Sequence, residues 1–254
     1  LKYGLTFLAL SIASVVVGLS AWHTIGWVAA AFLYAAFTFT LLAAAYAGAG
    51  PRLLLKRRSG HQSVWGWPLF APYFVLNTVI FRFYRQFSRE PAFAQVAPNL
   101  FFGRRLSAQE AEAARWIGVL DLAGEFSEVR ALRALPGYRS LPVLDATSPT
   151  EVQLQDAVAW LARAIESGPV YVHCALGHGR SASVVIAYLL SAGFVDTISE
   201  GAQRLRTLRS GVRLHAAQRR RLCAFERQPK IMAEPSAASD PPTDESNWHP
   251  YPDY

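Results

Sequence analysis

Apolar and polar positions follow two different regimes along this chain. Residues 3–51 contain no Asp, Glu, Lys or Arg. A stretch of that length holds two helices of about 20 residues, each long enough to cross a bilayer. They are placed at residues 4–21 and 26–47, joined at His23-Thr24, with Trp22 and Trp27 suited to a membrane interface. Gly48, Gly50 and Pro51 stop the second helix. Residues 64–81 form a third apolar stretch, in which Pro68 and Pro72 are expected to disturb a helix. Basic residues flank it on both sides, Lys56, Arg57 and Arg58 before, Arg82, Arg85 and Arg89 after. An interfacial or re-entrant segment keeps both clusters on one side, and a third crossing is the alternative.

Beyond residue 98 strand and helix periods alternate. Strands are expected at 99–102, 117–122, 138–144 and 170–173. Ser107 with Glu110, and Thr150 with Gln153, have the spacing of capping boxes that open helices. Leu154, Val158, Leu161 and Ile165 mark one helix face, ended by Ser167-Gly168-Pro169. A short helix is expected at 127–135, and two or three more up to about residue 227. This alternation predicts an α/β sandwich with a short central sheet. The chain divides into a transmembrane hairpin (1–50), a basic and aromatic juxtamembrane segment (51–91), an α/β domain (92–228) and a Pro-, Ser- and acid-rich tail expected to be disordered (229–254).

Charge refines this picture. The net charge is +7, with arginines clustered beside the membrane segment and between residues 204 and 221. A basic surface next to a bilayer attracts anionic headgroups. No nucleic-acid recognition motif is present, so nucleic acid is not expected as a partner. Lys2 at one end of the hairpin and Arg52 to Arg58 at the other place both ends, and the α/β domain, in the cytoplasm. Leu19-Ser20-Ala21 would suit signal cleavage, but the second span would still anchor the chain. The first residue is Leu rather than Met, so the natural start is expected further upstream. Two cysteines without a Cys-x-x-Cys or Cys/His ligand pattern predict no metal and no cofactor.

Candidate chemistry sits at residues 173–181, His-Cys-Ala-Leu-Gly-His-Gly-Arg-Ser, between an apolar strand and a helical run. A strand, a glycine-bearing loop and a helix start form a cradle for an anion. Cys174 at that helix N-terminus should ionise below its free pKa and act as a nucleophile toward phosphorus. Arg180 supplies a planar fork for two phosphate oxygens. Gly177 and Gly179 permit close backbone approach, with Ala175, Leu176 and His178 completing the loop. Ser181 can donate to the sulfur as it leaves.

The string His-Cys-x-x-Gly-x-x-Arg-Ser resembles the signature of the cysteine-dependent protein tyrosine phosphatase superfamily, dual-specificity branch. The resemblance covers residues 92–228 and implies a compact phosphatase α/β sandwich. It also implies a phosphocysteine intermediate, no metal, and a general acid on a separate loop about thirty residues before the cysteine. Asp145, after the apolar Leu141-Pro142-Val143-Leu144, fits that acid, with a turn aspartate as the plainer reading. Asp121 is the main rival for the acid, but it lies within an apolar run, which favours a structural role, and Asp156 reads as a solvated helix face. His173 resembles the family histidine that orients the loop from behind. His178 is read as solvent-facing, Gln218 as an ordinary polar helix position, Arg213 as structural or surface and Cys223 as a helix residue.

These features imply a membrane-anchored phosphomonoester hydrolase. The first reading of its substrate is Tyr, Ser or Thr phosphate on phosphoproteins. The alternative is a lipid phosphate of phosphatidylglycerophosphate or phosphoinositide type. The loop lacks the lysines of several phosphoinositide relatives, which weighs against highly charged inositol headgroups. The lesser alternative is an inactive phosphate-binding scaffold.

Overall fold

The computed structural model describes residues 2–23 and 25–227, so Thr24 and the tail expected to be disordered lie outside the described residues. Helices α1 (Lys2–Ala21) and α2 (Gly26–Ala44) form an antiparallel hairpin. Gly4, Ser11 and Gly18, seven residues apart, are the buried positions of α1. A Cβ on Gly18 would stand 3.2 Å from the Ala29 carbonyl oxygen and the Leu33 side chain. Ser11 Oγ donates to the Ala36 carbonyl and is also 2.9 Å from Thr40 Oγ1. Small residues and interhelical hydroxyl bonds are how helices associate where lipid removes the hydrophobic drive. Both helices, the second counted to Ala49, are long and apolar enough to cross a membrane. Past α2 the chain loosens through a wide turn, Ala45–Ala49, with Gly48 at φ 142, and Gly50 at φ 76 ends it.

The prolines at 64–81 disturb the helix there, as expected, without ending it. Helix α3 runs over Gly66–Phe87 with Pro72 inside it and a bend at Phe70. Pro68 lies in the first turn, where a helix N–H has no intrahelical partner anyway. Pro72 has no N–H to offer the Pro68 carbonyl. That carbonyl instead accepts the Tyr34 hydroxyl of α2 at 2.6 Å, and the Leu69 carbonyl accepts Thr38 Oγ1 at 3.0 Å. Hydroxyls of a neighbouring helix thus satisfy the interrupted turn.

The α/β domain has one five-stranded sheet in the order β1-β2-β5-β3-β4. The strands are β1 (Phe93–Ala97), β2 (Leu100–Arg104), β3 (Gly118–Ala123), β4 (Gly137–Val143) and β5 (Val170–Cys174). The β1–β2 hairpin is antiparallel, and all other pairs are parallel. The sequence reading missed β1, whose alternation is blurred by a bulge between Gln95 and Ala97. Helices α4 (Ala108–Ala113) and α5 (Arg130–Arg133) cover one face of the sheet. Helices α6 (Glu151–Ser167), α7 (Arg180–Ser191), α8 (Ile198–Leu208) and α9 (Ala216–Glu226) cover the other. Leu120, Leu122, Val170 and Val172 face one layer, Val119 and Tyr171 the other. Both faces are buried, so these strands read as continuous apolar runs. Both expected capping boxes form, Ser107 with Glu110 and Thr150 with Gln153.

Candidate active site

The parallel strands β2, β3, β4 and β5 all end on one side of the sheet, where open α/β folds place their sites. The β5–α7 loop carries Cys174 to Gly179. Its carbonyls are bound outward: that of Ala175 by the Arg105 N–H (3.0 Å), of Leu176 by Arg209 Nη2 (2.8 Å), of His178 by the Arg213 N–H (3.1 Å). The Gly177 N–H donates to Cys174 Sγ at 3.3 Å. Gly177 has φ 78, and a Cβ there would overlap the Gly103 backbone, so the tight turn needs glycine. Helix α7 starts at Arg180 without a side-chain cap, which leaves its first-turn N–H groups open to an anion.

Cys174 is buried beside Ser181, with Sγ and Oγ 3.5 Å apart. Burial by itself opposes ionisation of the thiol. The Arg180 charge and hydrogen bonds from Ser181 and Gly177 outweigh it, and the thiol is held below its ordinary value. Arg180 is buried as well. Its Nη1 and Nη2 are bound by Glu125 at 2.8 and 2.6 Å, and Nη1 also donates to the Val143 carbonyl at 2.9 Å. Nε is buried and has no hydrogen-bond partner among the described residues, and it is Glu125 that takes the paired Nη groups expected to face phosphate. Asp145 is exposed at the end of β4, with Oδ1 3.3 Å from Arg180 Nη2. Asp145 thus approaches Arg180, and Cys174 approaches Ser181, with Arg180 and Ser181 adjacent at the start of α7.

Behind the loop lies a buried charge network. His173 Nε2 is 3.1 Å from Glu128 and 3.9 Å from Asp121. Burial disfavours the imidazolium, but Glu128 and Asp121 more than offset it, so the His173 pKa is raised. Asp121 accepts from Lys56 Nζ at 2.5 Å and from the Tyr138 hydroxyl at 2.7 Å. Asp121, Glu128 and His173 have a metal-like grouping, but the Lys56 ammonium already supplies the cation. The juxtamembrane segment is thus inserted into the domain: Gln62 also donates to the Gly124 carbonyl at 2.6 Å.

Two sequence readings need correction. His178 is not simply solvent-facing, because its ring is 2.7 Å from Glu90 and 3.2 Å from the Tyr84 hydroxyl. Gln218 is not an ordinary helix position. It is fully buried, donates to the Thr147 carbonyl at 2.9 Å and packs at Gly179. The sequence reading missed Glu125, Glu128, Glu90 and Arg209. Two glutamates in the short loop after an apolar strand, Gly124-Glu125-Phe126-Ser127-Glu128, were the available signal for the first pair.

A family model described as dual specificity phosphatase, catalytic domain, matches residues 130–228, and so includes the Cys174–Arg180 loop. This part of the chain is a dual specificity phosphatase catalytic domain. The crystal structure of Tk-PTP in its active form shares the phosphatase fold, at a TM-score of 0.50 and 24% identity over 55% of this chain and 99% of its own. The structure of PTPMT1 is similar at a TM-score of 0.46 and 22% identity, over 53% of this chain and 93% of its own. Phosphatidylglycerophosphate phosphatase PTPMT2 of Arabidopsis thaliana is 32% identical over 88 residues. Those residues are 34% of this chain and 38% of the relative, so the chain spans well under half of that curated protein.

Proposed function

We propose that the protein is a membrane-anchored phosphatase that removes a phosphate monoester from a phospholipid headgroup. The observation that carries this reading is the packing of the acid loop on the membrane hairpin. Leu144 shares an apolar cluster with Leu42 and Ala45 of the second span, and with Phe70, Tyr73 and Phe74 of α3. A site so attached opens at the bilayer surface, on the cytoplasmic side by the charge asymmetry of the hairpin flanks. There the substrate is met in two dimensions. The exposed face of α3, Val75, Leu76, Val79, Ile80, Phe83 and Phe87, supports the same placement. A relative described as a phosphatidylglycerophosphate phosphatase supports the lipid headgroup over the phosphoprotein reached first from sequence.

In this reading the Cys174 thiolate attacks phosphorus and the P–O bond to the headgroup breaks. Asp145 protonates the departing oxygen, then takes a proton from the water that hydrolyses the phosphocysteine. Arg180 and the loop N–H groups hold the charge that builds on the phosphoryl oxygens. Ser181 donates to the sulfur as it leaves.

The test is phosphate release by the purified full chain in mixed micelles. Phosphatidylglycerophosphate is compared with phosphotyrosine, phosphoserine and phosphothreonine peptides. A kcat/KM at least tenfold higher on the lipid is expected. Preference for the peptides would return the reading to a protein phosphatase.

A further inference from the structure

We propose that Tyr46, in the wide turn that follows the second membrane helix, is a positioning residue for the acid loop, so that the membrane hairpin completes the active site. Tyr46 Oη donates to the main-chain carbonyl of Asp145 at 3.1 Å. The Tyr46 ring is set by α1: it stacks on Phe7 with centroids 5.3 Å apart and meets Tyr3 at 5.8 Å.

A second path reaches the same loop. The Tyr3 hydroxyl lies 3.3 Å from His215 Nδ1, and their rings meet edge-on. The His215 N–H donates to Gln218 Oε1 at 2.8 Å, and Gln218 Nε2 donates to the Thr147 carbonyl at 2.9 Å. The carbonyls of residues 145 and 147 are therefore both held, and both lines of contact lead to the hairpin. Between them Ala146 has φ 58. A non-glycine residue keeps that left-handed conformation only where its surroundings fix it.

The Asp145 side chain cannot fix itself. It is 66% exposed, and it approaches Arg180 at 3.3 Å. An acid displaced by about an ångström loses much of its rate advantage. The Tyr46 hydroxyl acts on the carbonyl of the residue that bears this acid. The inference rests on the reading of Asp145 as the general acid.

The experiment uses the full chain in detergent micelles with two soluble substrates, a nitrophenyl phosphate and an alkyl phosphate. Nitrophenolate leaves without much help, whereas an alkoxide needs the proton. Tyr46→Phe keeps the ring packing and removes the hydroxyl. It is expected to lower kcat on the alkyl phosphate by about 3- to 10-fold, with KM unchanged and the nitrophenyl rate within about twofold. Added to Asp145→Asn, it should cost nothing further, because the acid it positions is already absent. Tyr34→Phe, which removes another hydroxyl of the same helix, should leave both rates unchanged. The inference is overturned by an unaltered alkyl rate in Tyr46→Phe alongside a slow Asp145→Asn. Equal losses on both substrates, losses that multiply with Asp145→Asn, or an equal loss in Tyr34→Phe overturn it as well. An alkyl rate unaltered by Asp145→Asn itself overturns both the acid assignment and this inference.

Discussion

Arg180 and Glu125 meet end-on inside the phosphatase domain, with paired N–O distances of 2.8 and 2.6 Å and both side chains 2% exposed. The pair orients the guanidinium before any phosphate arrives and leaves Nε without a hydrogen bond among the described residues. Glu125→Gln keeps the shape and removes the charge. Breaking one side of a buried pair costs about 3–5 kcal/mol. We predict a lower Tm and a kcat/KM reduced by at least about tenfold, the scale of losing one oriented donor. Wild-type turnover in Glu125→Gln would show that the orientation is not needed.

The Cys174 thiol provides a second test. Burial opposes its ionisation, and the Arg180 charge with the Ser181 and Gly177 hydrogen bonds overcomes that. The rate of iodoacetamide labelling against pH should have its midpoint below the free-thiol value of about 8.5. In Arg180→Ala burial loses its main counterweight, so the midpoint should move up. Cys174→Ser should release no phosphate. A midpoint that stays put in Arg180→Ala would assign the shift to the loop N–H groups instead.

Lys56 lies in the segment between hairpin and domain, yet its ammonium is buried against Asp121. Lys56→Met strands a buried carboxylate, at a cost of about 3–5 kcal/mol. Adding Asp121→Asn should recover part of the lost Tm. Because Asp121 also faces His173, directly before the candidate nucleophile Cys174, Lys56→Met should slow turnover too. Thermal melts of the single and double variants decide this, and additive losses would rule out direct coupling.

Glu90 joins Arg209, His178, the Tyr84 hydroxyl and the Gly211 N–H. Burial pushes its pKa up, but the bonds from His178, the Gly211 N–H and the Tyr84 hydroxyl prevail and hold it down at about 2, from 4.5. The folded value lies below the unfolded one. The stabilisation is therefore complete above pH 4.5 and is lost as pH falls toward about 2. Glu90→Gln should melt lower than wild type at neutral pH and converge with it at the acid end. Parallel Tm–pH curves would contradict this.

Gly177→Ala adds a Cβ at φ 78 against the Gly103 backbone. The loop and the β2 end cannot both keep their places. Loss of turnover with a largely retained far-UV CD spectrum is expected. An active Gly177→Ala enzyme would mean that the loop tolerates a different path.

The elements easiest to read were those whose cause is local. Residues 3–51 declare two apolar helices long enough to cross a bilayer because no charge interrupts them, and the seven-residue spacing of Gly4, Ser11 and Gly18 matches the buried positions of their pairing. The capping boxes at Ser107 and Thr150 depend on four residues each. The kink of helix α3 was legible from its prolines, but its continuation was not, because the broken turn is satisfied by Tyr34 and Thr38, over thirty residues away. Gln218 looked bland because its partner, the Thr147 carbonyl, is 71 positions distant.

The sequence by itself determined the candidate nucleophile loop, since a strand, a glycine turn and a helix start place Cys174 and Arg180 on one anion cradle by local geometry alone. It also determined the two apolar spans, through length and the absence of charge. Only the tertiary structure decided what surrounds the cradle. Glu125 under Arg180, Lys56 and Glu128 behind His173, and Tyr46 on the acid loop come from segments far apart in the chain. Burial fixes their roles: an ionised group cannot remain in the interior without a partner, and which partner it meets is settled by packing.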